Sequence, residues 1–268
     1  MPKKLNPVFS FSSPAKIWNL LTDHEARYLY LELRDEEAHQ VSFAAYNLDD
    51  HKLCWDDLRF EEYWWIGMSA ADAHLLVLHT YEDSDNPEVK SFFAIDNASR
   101  EIVWQDSDLQ VMDVYRGQLY GFVRKDTSTV YRSVSLETKQ QQNLSPEEVE
   151  HALAGVSAEN KYIRHPFHYT EEDTYFETVS RFVQHYLNRQ PKLGCEYLDE
   201  NGLIFISYYM EEDKALANYL LIVDTEGALL LHEKLDDQLS HIGLGTFMLV
   251  RNQLIFIKQK RELLSYAI

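Results

Sequence analysis

The sequence predicts an all-β protein, a β-propeller of about five four-stranded blades, with six blades as the alternative. Two segments carry this prediction: Ser42–Trp55 and Ser91–Trp104 align without a gap and share Ser, Phe, Ala and Trp at the same places. Each segment reads as an apolar strand, a polar turn and a second strand that ends in tryptophan. Together with the strands between the copies, this gives a unit of about 40–50 residues, the period of a propeller blade.

The residues before the second copy supply the remaining strands of the first units. Val8–Trp18 reads as a shorter copy of the hairpin, with Trp18 in the terminal place. Arg27–Arg34 alternates side chains as a half-buried strand does, and Ala73–Tyr81 is a strongly apolar strand. We therefore expect strands before each hairpin copy.

A third copy of the hairpin is degraded. Val130–Asn143 keeps the strand and the turn, but Asn143 stands where the other copies have tryptophan. Two further strands are expected before it, on either side of Arg116-Gly117.

The strand pattern is interrupted between residues 144 and 190, where we expect a helical insertion. Ser145 is a good capping residue, and Pro146 and two glutamates follow it in the first turn. A second helix is expected to open at Thr170. Its apolar residues have the spacing of one helical face: Tyr175, Phe176, Val179, Phe182, Val183, Tyr186 and Leu187.

Strands resume after the insertion and reach the end of the chain. Gly202–Met210 and Ala217–Thr225 are apolar runs, the second of which begins a fourth copy, and three more strands follow around Arg251-Asn252. Pairing of the N-terminal strand beside the C-terminal strand would close the ring and remove exposed sheet edges. We therefore expect one propeller domain over residues 1–268, with a sixth blade only if the insertion contains one.

The hairpin copies resemble the repeats of pyrroloquinoline-quinone-type β-propellers, which read Ala-x-Asp-x-x-Thr-Gly-x-x-x-Trp. In the best copy the matching residues are Ala94, Asp96, Ser99 and Trp104, and in the first copy they are Ala45, Asn47, Asp50 and Trp55. The resemblance implies that tryptophan docks one blade on the next. The glycine position is occupied by His51, Arg100, Lys139 or Pro14, so we expect that the family's turn is not reproduced. No residue for binding the quinone is recognisable, and no cofactor is expected. The whole chain also resembles uncharacterised bacterial families of this length, from which no activity follows.

Composition restricts the class of partner and the compartment. With 44 acidic and 25 basic residues the formal charge is −19, which disfavours binding to nucleic acid. Cys54 and Cys195 form no paired motif, so buried free thiols in a reducing compartment are expected. The chain has neither a signal-like apolar run nor a membrane-length one. We expect a cytoplasmic monomer.

One loop has the spacing of a metal site. His165 and His168 precede Glu171 and Glu172, and two imidazoles with two carboxylates suit zinc or another divalent ion. The alternative, which we favour, is a loop that packs its histidines and Tyr169 against the propeller. No metal ligand is therefore assigned, and these three residues are kept as binding candidates.

Two aromatic pairs are further binding candidates. Trp64 and Trp65 follow Tyr63 at the start of a blade and suit an aromatic platform, with core packing as the alternative. For Tyr208 and Tyr209 we expect one side chain inside and the other outside, because neighbours on a strand face opposite ways.

No linear motif marks a catalytic nucleophile, a phosphate loop or a dinucleotide site. We therefore favour a non-enzymatic propeller that binds a protein or peptide partner through the helical insertion and the aromatic residues. The alternative is a hydrolase or lyase that acts on a small molecule or sugar at the propeller channel, with or without a divalent metal. Propeller sites are assembled from several blades, so missing motifs argue only weakly against an enzyme.

Overall fold

The computed structural model describes residues 5–83, 86–125, 128–159 and 162–268. Two compact units divide the chain: residues 15–162 form one, and residues 1–14 with 163–268 form the other. These two units are called the 15–162 unit and the split unit, respectively. The single-domain organisation expected from the sequence stays a prediction.

The 15–162 unit contains three antiparallel four-stranded sheets, each in chain order. The first sheet consists of β2 (Lys16–Thr22), β3 (Tyr28–Asp35), β4 (Gln40–Asn47) and β5 (Lys52–Leu58). The second consists of β6 (Ile66–Asp72), β7 (Leu75–Tyr81), β8 (Lys90–Asp96) and β9 (Ile102–Asp106). The third consists of β10 (Gln110–Tyr115), β11 (Gln118–Lys125), β12 (Ser128–Ser135) and β13 (Gln141–Leu144).

The split unit contains two antiparallel five-stranded sheets. One consists of β15 (Phe167–Thr170), β16 (Gly194–Glu200), β17 (Leu203–Glu212), β18 (Ala215–Asp224) and β19 (Leu229–Leu239). The other, in spatial order, consists of β1 (Pro7–Ser12), β22 (Glu262–Ala267), β21 (Gln253–Lys258), β20 (Phe247–Val250) and β14 (Ile163–Arg164).

These five sheets are the blades of a β-propeller, which confirms the predicted fold class. The pairing of β1 with β22, from Pro7↔Tyr266 to Ser12↔Glu262, confirms closure by the two ends of the chain. Five is the number of sheets among the described residues, so the insertion contributes strands to two blades and forms no sixth.

The N-terminal hairpin predicted over Val8–Trp18 is wrong. Strand β1 belongs to the closing sheet, whereas β2 pairs with β3 and starts the first blade. Trp18 therefore does not occupy the terminal place of a hairpin. Because β1 pairs with β22, the last strand, β1 and β2 do not form the local hairpin that their sequence resembles.

The predicted copies are the third and fourth strands of their blades. Asn47 and Asp96 organise the turns, since each side-chain Oδ1 accepts two N–H groups from residues two and three positions later, at 2.7–3.1 Å. His51, Arg100 and Lys139 have φ angles of 53°, 64° and 60°. This left-handed backbone is the one that glycine favours.

Tryptophan at the end of a copy packs into the next blade. Trp55 is 8% exposed, and its indole N–H donates to the Asn97 backbone carbonyl (3.0 Å) and side-chain Oδ1 (2.9 Å) on the second blade. Trp104, also 8% exposed, lies in an apolar cluster with Leu109 and Leu119 of the third blade. Blade docking by tryptophan is thus present in both full copies.

The insertion contains the two helices α1 (Pro146–Glu159) and α2 (Thr174–Leu187). A capping box starts α1 as predicted: the Glu148 N–H donates to Ser145 Oγ (3.2 Å), and the Ser145 N–H donates to Glu148 Oε2 (2.7 Å). Helix α2 begins four residues later than predicted, because Thr170 ends β15 and Asp173 occupies the N-cap.

Helix α2 buries its apolar face on the β15–β19 sheet. Phe176, Val179 and Val183 form one cluster with residues of that sheet, whereas Tyr175 of the predicted face is 66% exposed. The two free thiols also differ: Cys195 is buried as expected, but Cys54 is exposed.

Candidate functional site

Trp64 and Trp65 lie in the loop between the first and second blades and face different surroundings. Trp64 is half-buried, and Trp65 is 47% exposed with its ring edge against Tyr81. The Glu62 carboxylate accepts both backbone N–H groups, at 2.9 and 2.8 Å, which fixes the loop. Their role in binding stays a prediction.

Trp64 belongs to a stack of four side chains that sequence reasoning did not identify, here called the aromatic stack: Trp18, Arg34, Trp64 and His39. The Arg34 guanidinium carbon lies 5.5 Å from the centroid of the Trp18 ring and 5.2 Å from that of Trp64. The His39 ring stacks on Trp64 at 4.0 Å and 18°. Trp18 is 61% exposed, so this stack reaches the surface.

A buried carboxylate holds the centre of the aromatic stack. Glu32 is 3% exposed, and its Oε1 accepts from two Arg34 nitrogens at 2.8 and 2.7 Å. Arg34 also donates to the backbone carbonyls of Trp64 (3.1 Å) and Ile66 (2.9 Å). These four contacts neutralise the guanidinium and hold it in place between the Trp18 and Trp64 rings.

The first strand of each blade in this unit has a β-bulge at the same place. The extra residues are Trp18 in β2, Ser69 in β6 and Met112 in β10. A bulge changes the direction of nearby side chains. Ser69 is itself the extra residue in β6 and contacts His79, and Asp113 directly follows the extra residue in β10 and contacts His24. The regular alternation used in reading strands from sequence cannot reveal such an extra residue.

Ser69 pairs with a buried histidine. Its Oγ lies 2.7 Å from His79 Nδ1, while His79 Nε2 is buried and has no hydrogen-bond partner among the described residues. Burial, with a smaller effect from the charges of Lys90 and Arg34, lowers the His79 pKa to about 4. A Cβ on Gly67 would lie 3.0 Å from the His79 ring, so glycine is needed to seat it.

A second histidine joins the first and third blades of the same unit. His24 Nε2, in the turn after β2, lies 3.0 Å from Asp113 Oδ1 on β10. Burial opposes its protonation, but the hydrogen bond and charge of Asp113, aided by Asp72, outweigh burial and raise the His24 pKa. Three blades thus contribute polar groups around one imidazole.

The loop that carries His24 is organised by Asp23. This fully buried residue accepts the N–H groups of Arg27 (2.8 Å) and Tyr28 (2.6 Å) on Oδ1. Its Oδ2 and the buried Tyr30 hydroxyl have no hydrogen-bond partner among the described residues. Burial is the main cause that raises the pKa of both groups.

In the split unit, the predicted histidines do not form a ligand set. His165 is exposed, while His168 is half-buried on β15, opposite Glu196 of β16. The buried His168 Nδ1 has no hydrogen-bond partner within the described part of the chain. Tyr169 packs on Tyr175 at 5.3 Å. No group of three histidine, cysteine or acidic residues has metal-binding geometry within the described ranges. The binding role of these residues stays a prediction.

Tyr208 lies in the interior of the split unit, on β17. It is fully buried, its hydroxyl is 2.8 Å from His232 Nε2, and its ring stacks on Tyr219 at 5.6 Å. Tyr209 is 1% exposed and exchanges hydrogen bonds with Gly243. The expectation of one tyrosine inside and one outside is therefore wrong, because α2 packs against the Tyr208 face and a loop covers Tyr209.

Comparison with known proteins gives a family match over part of the chain. Residues 22–104 match the model of a "Domain of unknown function (DUF4905)". That segment runs from the end of β2 to Trp104 and so covers most of the first two blades. No curated protein matches the sequence.

Several solved structures are similar at low identity. The isopeptidase AtxE2 has 11% identity and a TM-score of 0.40, covering 96% of this chain and 50% of that one. The uncharacterized protein lmo1340 from Listeria monocytogenes EGD-e has 9% identity and a TM-score of 0.39, covering 97% of both chains. The β-propeller domain of the Trilobed protease from Pyrococcus furiosus has 9% identity and a TM-score of 0.38, covering 96% and 94%. The chain spans half of AtxE2, and likenesses this weak assign it no activity.

Within the described residues, neither helix is long and apolar enough to cross a membrane.

Proposed function

We propose that this protein is a non-enzymatic propeller that binds a protein or peptide partner through the aromatic stack and its neighbours. The observation that carries this proposal is Trp18, which is 61% exposed and has the Arg34 guanidinium over one side of its ring. Tyr63 and Trp65, in the loop that carries Trp64, are 56% and 47% exposed. Tryptophan, tyrosine and arginine are the residues most enriched at energetically important interface positions.

The fixed geometry of this surface favours binding. A partner that settles on mobile side chains loses free energy because their rotamers become ordered. Here the hydrogen bonds of Arg34 and Glu62 order the stack and the loop before any partner arrives. The association therefore costs less than at a flexible surface of the same area.

The insertion supplies a second candidate contact in the split unit. Phe167 on β15 and Tyr175 on α2 are each 66% exposed, and Tyr169 packs against Tyr175. Phe167 and Tyr169 flank the predicted binding residue His168 in sequence. The insertion is thus a proposed contact surface together with the aromatic stack.

Affinity capture from the native host with matched variants tests the proposal. Deleting residues 144–190 would remove β14 and β15 from two blades, so single substitutions are better. Partners captured by the wild type and by Ile102→Ser, which removes a half-exposed apolar residue on β9, are expected to be lost with Trp18→Ser or Tyr175→Ser. Retention of every partner by both of these variants would refute the proposal.

A hydrolase or lyase is the second candidate, favoured by the pair of His24 and Asp113. An imidazole held by a carboxylate can act as a general base, and these two come from different blades as propeller sites do. Turnover of any ester, glycoside or uronide in a substrate panel, abolished by His24→Gln and not by the exposed-site variant His74→Gln, would support it. Equal turnover in both variants would reject this site.

A further inference from the structure

We infer that the partner inserts an arginine, carried on a basic segment, against the open face of Trp18. This inference rests on the proposed function and gives the partner's chemistry. The partner's guanidinium would extend the aromatic stack by one layer. It would lie on the part of the Trp18 ring that Arg34 leaves uncovered.

The existing stack shows what this surface accepts. Arg34 contacts two tryptophan rings at 5.5 and 5.2 Å, and the next layer beyond Trp64 is the His39 imidazole. Planar nitrogen-containing groups thus alternate with indole rings. The bulge at Trp18 frees this residue from strand pairing, and its ring ends the series while 61% exposed.

The charge around the aromatic stack is negative, which selects a cationic partner. The end of β3 and the turn that carries His39 contain Asp35 and Glu37, together with Glu36, whose charge is paired with Lys16. The loop that carries Trp64 adds Glu61 and Glu62. With a formal charge of −19 for the chain, a basic segment is attracted to this surface and an acidic one is repelled.

The nearby cations do not cancel this field. Arg34 is paired with buried Glu32, Lys16 with Glu36, and Arg59 with Asp57. Because Arg34 is neutralised by its own carboxylate, a second guanidinium on the other face of Trp18 meets little repulsion.

Arginine fits this arrangement better than lysine. Its guanidinium is planar and weakly hydrated, so it stacks on an indole face while its N–H groups stay free to donate hydrogen bonds. The lysine ammonium is a compact, strongly hydrated charge and has no such plane. The stack therefore discriminates by shape as well as by charge.

Titration with short peptides tests the inference. The probes are acetyl-Gly-Arg-Gly-Arg-Gly-amide and its lysine and glutamine counterparts, followed by the indole N–H signals of the five tryptophans in nitrogen-15 NMR spectra. We expect the arginine peptide to shift the Trp18 signal and leave that of buried Trp104 unchanged. It should bind about threefold or more tightly than the lysine peptide, and the glutamine peptide should not bind.

Two variants make the test specific. Trp18→Leu should weaken the arginine peptide about threefold or more, whereas Trp18→Phe, which keeps a ring, should lose less. Ile102→Ser removes an exposed apolar residue on β9, outside the aromatic stack and its loop, and should leave the affinity unchanged. Equal affinity for the arginine and lysine peptides, or full binding by Trp18→Leu, would overturn the inference.

Failure of the arginine inference can be distinguished from failure of the proposed partner binding. A captured partner that depends on Trp18 but is not displaced by excess arginine peptide would refute the arginine inference and leave partner binding intact. Partners that are indifferent to every surface variant would refute the proposed function itself.

Discussion

Replacing His79 with glutamine is expected to make the 15–162 unit less sensitive to acid. His79 is 7% exposed, its Nδ1 is bonded to Ser69, and its Nε2 has no partner among the described residues. Protonation would place a charge and an unpaired donor in this site. Burial, with Lys90 and Arg34 nearby, therefore lowers the pKa from its ordinary 6.5 to about 4.

The expected magnitude follows from this difference. Because the unfolded chain binds this proton more readily, stability is fully present above pH 6.5 and is lost as the pH falls from 6.5 towards 4. One pKa unit corresponds to about 1.4 kcal/mol, so His79 accounts for a loss of about 3 kcal/mol across this window. Glutamine can keep the bond to Ser69 and does not titrate.

Urea unfolding at a series of pH values from 7 to 4 measures the effect, with His74→Gln as the control. His74 is exposed in the turn of the same hairpin, so this variant removes an imidazole without removing a buried one. The free energy of unfolding of His79→Gln should fall by about 3 kcal/mol less than that of the wild type or control. Parallel pH profiles for all three proteins would show that His79 is not held neutral by burial.

Three further substitutions test the blade repeat and the second histidine. Trp55→Phe should cost about 1–3 kcal/mol in urea unfolding, because it leaves both Asn97 acceptors unpaired between two blades; an unchanged midpoint would contradict docking by this indole. Arg100→Gly should stabilise the protein by about 0.5–1 kcal/mol, because φ is 64° there and glycine adopts it without strain; destabilisation would show that the side chain outweighs the backbone. Asp113→Asn should lower the His24 pKa in an NMR titration. The wild type loses stability as the pH rises above 6.5, because His24 then releases its proton, and this loss should be smaller in the variant. An unchanged His24 pKa would exclude Asp113 as the cause of the raised value.

Local pattern predicted much of the blade structure. The alternation in β3, the apolar run of β7 and the two full hairpin copies are properties of neighbouring residues, and the structure contains them. Likewise, the Ser145 capping box is fixed within four residues. Such features could be inferred because the interactions that form them span only a few positions of the chain.

The candidate site was predicted only in part. Trp64 stood out as an aromatic residue next to another, but its partners Trp18 and Arg34 lie on different strands and are 46 and 30 residues away in the sequence. Nothing in a single sequence marks His24 and Asp113 as neighbours, since 89 residues separate them. A charged residue paired across blades looks the same in sequence as a solvated one.

By itself, the sequence determined the repeat, its strand and turn elements, the helical insertion and the closure by both ends of the chain. The turn residues and the alternating apolar positions act through their neighbours, and the tryptophan recurs at the end of both full copies. The tertiary structure alone decided that Trp18 leaves its expected hairpin, that Tyr208 and Tyr209 are both covered, and that Arg34 is locked between a buried carboxylate and two indoles. These outcomes depend on which side chains meet across strands, and that is set by bulges and packing rather than by local propensity.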